Sequence, residues 1–301
     1  MDRRQERANS ALPPAPGLRF EPRVSSDPEL GRRRWKLARR RLRARLMRWW
    51  WREDLRAMRH YALFVGYPRS GHTLVAALLD AHPNMLFANG LDATQYVQCG
   101  FEAQEIAALS IWNCRRFTRH GRRSNGYQYA VGGGLHGVWE SLEIVGDKSG
   151  DLLSYRLLRE PGLLDNVLAR FSDLARFIHV IRNPFDCIAT MATRSGVELR
   201  VAAEDFLTLC EANQRARAAI PESAWKDVRL EQLIERPAGV LREICAFLGT
   251  TPDGTYLDRC AKLVFQAPHK SRHDADWPES LVADLTGRLR AFAWFDGYRF
   301  R

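Results

Sequence analysis

The sequence of 301 residues has no stretch approaching the 18 or so uncharged apolar residues that a membrane-spanning helix needs. Its N-terminus also lacks the apolar core of a secretory signal, so the expectation is a cytoplasmic chain with, at most, a peripheral hold on the inner membrane face. The six cysteines (Cys99, Cys114, Cys187, Cys210, Cys245, Cys260) include no C-x-x-C pair. That speaks against a zinc site or a dithiol and for reduced, partly buried thiols. No carboxylate cluster is placed for a metal, and no internal repeat is apparent. Acidic residues are scarce in one region only. Residues 1–60 hold 18 Lys/Arg against 7 Asp/Glu, whereas residues 61–301 hold 28 of each. The net charge of +11 therefore belongs to an N-terminal arm, and the neutral body carries no flag for a specific nucleic-acid partner.

The most informative stretch is Tyr61 to Asn84, YALFVGYPRSGHTLVAALLDAHPN. Its first seven residues read as a fully buried strand. Pro68 to Thr73 break the run, and Leu74, Ala77, Leu78 and Ala81 resume at helical spacing. A strand, a Gly-containing loop and a helix in that order form a phosphate cradle, because backbone N–H groups and the helix dipole converge on one spot. Ser70 and Thr73 offer hydroxyls, and Arg69 puts a permanent forked cation where an anion would sit. The Gly-Lys pair of a nucleotide-kinase loop is missing.

Residues 1–30, rich in Pro, Ser and charge, read as a disordered tail. Residues 31–60 read as a basic Arg/Trp-rich helix with Trp35, Leu42, Leu46, Trp49 and Trp50 on one face. That face can pack on the domain, leaving the arginines in water, or the helix can lie on an anionic membrane. Residues 61–301 form the main domain. Strands are expected at 61–67, 85–88, 144–148, 175–181 and 227–230. Helical patterns occupy about 95–125, 151–171, 184–194, 200–219 and 237–249. The turn-rich Gly126–Gly134 region is expected on the acceptor side. The alternation predicts an α/β fold, a three-layer α/β/α arrangement around a mainly parallel sheet with ligands at the carboxyl ends of its strands.

A second anchor follows the fourth of these strands in RNPFDCIAT. Arg182 sits at the strand's carboxyl end and Thr190 lies on the ensuing helix. A guanidinium and a hydroxyl converging on one anion make a sound phosphate site.

Both anchors resemble those of the PAPS-dependent sulfotransferases. YPRSGHTL looks like their 5′-phosphosulfate loop, and the continuation LLDAHPN is close to the protein-tyrosine and bacterial branches. RNPFDCIAT is similar to their 3′-phosphate site, with Thr190 for the usual Ser. Weaker likenesses are GDK at 146–148, RLEQLIERPAGVLREICAFLG from Arg229 to Gly249, and the basic loop His269–His273 followed by Trp277. The resemblance spans about residues 61–280 and implies the P-loop-like sulfotransferase fold. It also implies transfer of a sulfuryl group from PAPS to a hydroxyl or amine by in-line displacement, leaving PAP and requiring no metal. Arg69 and the backbone of Ser70, Gly71, His72, Thr73 and Leu74 would hold the 5′-phosphate. Arg182 and Thr190, with Arg272, would hold the 3′-phosphate. Lys148 would contact the sulfuryl oxygens, the alternative being a structural ion pair with Asp147. The family's general-base Glu after the second strand falls on Gly90, which leaves Asp92 or His72 to take the proton, an acceptor that needs no strong base, or a chain that binds PAPS without efficient turnover. For Asp92 the plain alternative is a helix N-cap. The acceptor stays open among saccharide, lipid, peptide tyrosine and small alcohol or phenol.

Overall fold

The computed structural model describes residues 34–124, 126–264 and 267–301. The expected tail at 1–30, and the first three residues of the expected basic helix, lie outside the described residues. The chain opens with α1 (Arg34–Trp50) and α2 (Arg52–Ala57), then β1 (His60–Gly66), α3 (His72–Leu79) and β2 (Met85–Asn89). Next come α4 (Ala93–Gln98), α5 (Ala103–Arg119), the small hairpin β3 (Arg123–Ser124) and β4 (Tyr127–Gln128), then β5 (Ile144–Lys148). After α6 (Gly150–Arg159) and α7 (Leu163–Phe171) follow β6 (Ala175–Ile181), α8 (Pro184–Ser195), α9 (Leu199–Ala219) and β7 (Trp225–Arg229). The remainder is helical: α10 (Leu230–Glu235), α11 (Pro237–Phe247), α12 (Gly254–Leu263) and α13 (Glu279–Leu289).

The five long strands form one parallel sheet in the order β2-β5-β1-β6-β7. It is the α/β three-layer arrangement that the alternation predicts. Alternate residues of β1 point to opposite cores: Tyr61, Leu63 and Val65 pack with α4, α5 and α7, while Ala62 and Phe64 pack with α3 and α11. Being buried on both faces is what turns the strand's sequence into an unbroken apolar run. A third apolar cluster joins α8, α9 and α13 around Phe185, Phe206 and Leu285.

Two expected helices are each divided. The 95–125 pattern breaks at Gly100, whose φ of 73° ends α4, and α5 restarts from a capping box between Glu102 and Glu105. The 151–171 pattern breaks at Pro161-Gly162. By contrast α8 begins where expected, with Pro184 in its first turn and the Asn183 side chain accepting the Phe185 N–H.

Helix α1 packs on the domain through a face other than its Trp/Leu face. Its inner face is Leu37, Ala44 and Met47 together with arginines. Arg40 donates to the Tyr96 hydroxyl at 2.9 Å, Arg41 to the Cys99 carbonyl at 2.6 Å, and Arg45 pairs with buried Glu105 at 3.2 Å. Of the two arrangements left open for the Trp/Leu face, it does not cover the domain but points to solvent. Arg40 and Arg41, turned inward onto specific acceptors, and the exposed Arg45 paired with Glu105 hold the helix in this orientation.

Candidate active site

After Gly66 the backbone closes a tight loop, with the Ser70 N–H and hydroxyl both donating to the Tyr67 carbonyl (3.3 and 2.9 Å). Ser70 is fully buried, so its hydroxyl holds the turn rather than facing the crevice. Arg69 and Gly71 flank it in the left-handed region at φ 68° and 99°. A non-glycine residue held there stores strain, and this one sits in the loop expected to bind an anion. The N–H groups of Gly71, His72 and Thr73 have no backbone partner among the described residues, whereas that of Leu74 donates to the Gly71 carbonyl at 3.0 Å. Three open donors at the start of α3 thus remain from the expected set, with Leu74 withdrawn. The half-buried Arg69 guanidinium and the Thr73 hydroxyl make no hydrogen bond among the described residues.

His72 is turned inward. Its ring fills the space between two glycines, where a Cβ on Gly66 or Gly150 would come within 2.7 or 2.6 Å of it. Its Nε2 lies 3.2 Å from the Val65 carbonyl. Burial pushes its imidazole down to about 4, so it is neutral at pH 7. A neutral ring held under the loop is a packing element.

Lys148 ends β5, next to β1, and its ammonium has no hydrogen-bond partner among the described residues. Burial lowers its pKa, and the nearby carboxylates of Asp151 and Asp147 offset part of that. Asp147 itself does not bind Lys148 directly. It accepts the Leu91 and Ala93 N–H groups at 2.9 Å each and the Ser149 hydroxyl at 2.8 Å, bracing the loop after β2. Asp92, on that loop, has φ 62° and no side-chain cap bond. Its carboxylate takes a two-pronged contact from Arg156, at 3.1 and 2.5 Å. Gly90 has φ 70°, and a side chain there would meet nothing within 4 Å.

The second anchor meets the first directly. Arg182, immediately after neighbouring β6, donates to the Arg69 carbonyl at 3.0 Å, to the His269 carbonyl at 2.5 Å and to Ser271 Oγ at 3.2 Å. Its guanidinium ties the cradle to the 269–271 loop. The Thr190 hydroxyl donates back along α8 to the Asp186 carbonyl at 2.8 Å. Arg272 is neither a solvated basic residue nor open to the crevice: it is buried, paired with Asp186 at 2.7 Å, and donates from Nε to the Phe300 carbonyl at 2.6 Å.

Sequence reasoning missed two charged residues. Asp151, in the first turn of α6, lies close enough to raise the proton affinity of Arg69, His72 and Lys148. Arg194, one turn beyond Thr190 on α8, acts on Arg69 in the opposite sense. Acidic first-turn residues are common on helices, so nothing in the sequence singled Asp151 out. Missed as well was a cavity of about 400 Å³ at the carboxyl end of β2, lined by Arg40, Arg43, Gly90, Tyr96, Trp112 and Arg116. Two guanidinium groups approach the Trp112 ring, those of Arg43 at 5.0 Å and Arg116 at 5.5 Å from its centre. No group of metal-ligating side chains occurs among the described residues.

Residues 137–253 match the profile of the sulfotransferase family. This stretch contains Lys148, Arg182 and Thr190 and begins after the cradle, and over its length it bears out the resemblance read from the motifs. No curated protein matches the chain. Among solved structures, the sulfotransferase domain of the Synechococcus PCC 7002 olefin synthase is 18% identical with a TM-score of 0.49, covering 78% of this chain and 95% of its own. A sulfotransferase of Mycobacterium avium is 15% identical with a TM-score of 0.48, covering 89% and 88%. A mouse sulfotransferase solved in complex with PAP is 11% identical with a TM-score of 0.36, covering 74% and 69%.

Proposed function

We propose that this chain is a sulfotransferase that transfers the sulfuryl group of PAPS to a hydroxyl or amine acceptor. The observation that carries the reading is the junction of two anion anchors on adjacent strands, through the Arg182 to Arg69 contact at 3.0 Å. The residues present suit the donor: three N–H groups and a guanidinium unengaged among the described residues for the 5′ end, and a half-buried ammonium with no hydrogen-bond partner among them for the sulfuryl oxygens. When bound, PAPS supplies a sulfuryl group attached to a phosphate leaving group. Arg69 and the cradle donors would neutralise charge developing on that phosphate, the role Mg²⁺ plays in nucleotide kinases. Arg182 and Thr190 would orient the 3′ end, and the cavity beyond β2 would take the acceptor.

Asp151 is the proton acceptor in this reading. It stands among the cradle cations, whereas Asp92 is neutralised by Arg156 and His72 faces inward. A second reading, a PAP-binding module without turnover, is favoured by one observation, the glycine at position 90.

The test is calorimetric titration with PAP beside ATP–Mg²⁺. Micromolar or tighter PAP binding without metal, with poor ATP binding, supports the proposal. ATP–Mg²⁺ binding in place of PAP would reassign the cradle to a nucleotide hydrolase. PAP binding without turnover over a panel of hydroxyl acceptors, and turnover appearing in Gly90→Glu, would favour the module.

A further inference from the structure

Among the described residues, the large hydrophobic side chains that stand exposed are Trp35, Leu42, Leu46, Trp49, Trp50, Tyr127 and Val138. Five of these seven belong to α1, and each is between 55% and 73% exposed. At about 100° per residue, positions 35, 42, 46 and 49 fall within one narrow stripe, with 50 at its margin. The opposite face of α1 is already docked on α5 and α4 through Leu37, Ala44 and Arg40, and Arg45 reaches from the edge of the stripe to Glu105. The stripe is therefore not a core face waiting for the domain. A stripe of this size on a helix whose other side is satisfied marks an interaction surface.

Its flanks indicate the partner. Helix α1 carries eight Lys/Arg and no acid over its 17 residues. By the same helical angles Arg39 and Arg43 border one side of the stripe and Arg45 the other. Arg39, Arg43 and Arg48 have no carboxylate partner among the described residues. We propose that α1 is a peripheral membrane-docking helix that seats Trp35, Leu42, Leu46, Trp49 and Trp50 in the headgroup region of an anionic bilayer. A second copy would set two acid-free cationic helices against each other. A nucleic acid would satisfy the arginines and leave leucines against phosphate. An anionic bilayer answers both features at once, since tryptophan favours the headgroup level and each nearby cation adds attraction. The helix, roughly 25 Å long, lies flat in this arrangement. No described helix is long and apolar enough to cross a membrane. Arg40 and Arg43 also line the cavity at the end of β2, so docking places that cavity beside the lipid surface.

The test is sedimentation of the full chain with two kinds of vesicle, phosphatidylcholine alone and phosphatidylcholine with about one-third phosphatidylglycerol. Partition onto the anionic vesicles by at least about tenfold over the neutral ones is expected, with a blue shift of tryptophan emission. Leu42→Ser/Leu46→Ser/Trp49→Ser leaves the charge untouched and should lower that partition about tenfold or more, without changing the thermal midpoint. Arg39→Gln/Arg43→Gln removes the two cations that border the stripe without a carboxylate partner and should remove much of the preference for anionic vesicles. Three outcomes overturn the proposal. The first is no partition. The second is a triple-serine variant that binds like the wild type, which would mean charge adsorption alone. The third is tryptophans already shielded from acrylamide without vesicles, which would mean that residues 1–33 or a second copy covers the stripe. None of these readouts depends on the transferase activity.

Discussion

The loops that follow β1 and β6 each present an arginine at the carboxyl end of a central strand, yet the two cations are held in opposite ways. Arg69 makes no side-chain hydrogen bond among the described residues, and its backbone is strained at φ 68°. Arg182 is buried and engaged by two carbonyls and a hydroxyl. One is a charge kept available. The other is a strut that fixes where the available charge stands. Lys148 belongs with Arg69, and Arg272, committed to Asp186, belongs with Arg182. The crevice is divided into a working half and a framing half, a distinction that motif chemistry alone does not reveal.

If the open cations mark the working half, the carboxylate among them should matter most. Asp151→Asn is expected to lower kcat by about 10²–10⁴ while leaving PAP affinity within a few-fold, as loss of a general base does. Asp92→Asn should change kcat far less, and the reverse ranking in a sulfuryl-transfer assay would return the role to Asp92. In the framing half, Arg272→Met leaves Asp186 buried and unpaired, so urea unfolding should show a loss of about 3–5 kcal/mol. A loss confined to PAP affinity would instead make Arg272 a ligand contact. Next in size is the direct contrast. Arg69→Ala and Arg182→Ala should each weaken PAP binding by about 2 kcal/mol, but only Arg182→Ala should also lower folding stability, by about 1–3 kcal/mol. Equal thermal midpoints in the two variants would abolish the distinction between strut and available charge.

The smallest expected effect is a pH dependence beneath the cradle. His72, held down to about 4 by burial, is neutral in the fold and takes up a proton near 6.5 when unfolded. Its contribution is complete above about 6.5 and is lost as the pH falls towards 4. Asp147, pushed up to about 6 by burial, acts in the reverse sense and offsets part of the loss between about 6 and 4. The urea midpoint should therefore fall modestly over that window, and less steeply in His72→Gln. An unchanged slope in the variant would assign the dependence to other buried histidines.

Much of this was legible in the sequence. The run Tyr61 to Val65 could only be a strand buried on both sides, and Pro184 after Asn183 marked a helix start by its own local bonds. Both anchors could be placed at strand ends for the same reason. What eluded the sequence were the partners. That Asp92 is neutralised depends on Arg156, 64 residues away, and Asp151 gains meaning only because α6 carries it to the cradle. The direction of α1 was likewise not decidable from its periodicity, since apolar residues recur on both of its faces.

The sequence by itself determined the alternation of strands and helices, the two arginine-bearing loops at strand ends and the basic arm, because each is written in spacing and in residue chemistry over short distances. Only the tertiary structure decided which cations are open and which are engaged, which carboxylate stands among them, and that α1 turns its tryptophans outward. Those outcomes depend on long-range hydrogen bonds and burial, where a distant acceptor outweighs any local preference.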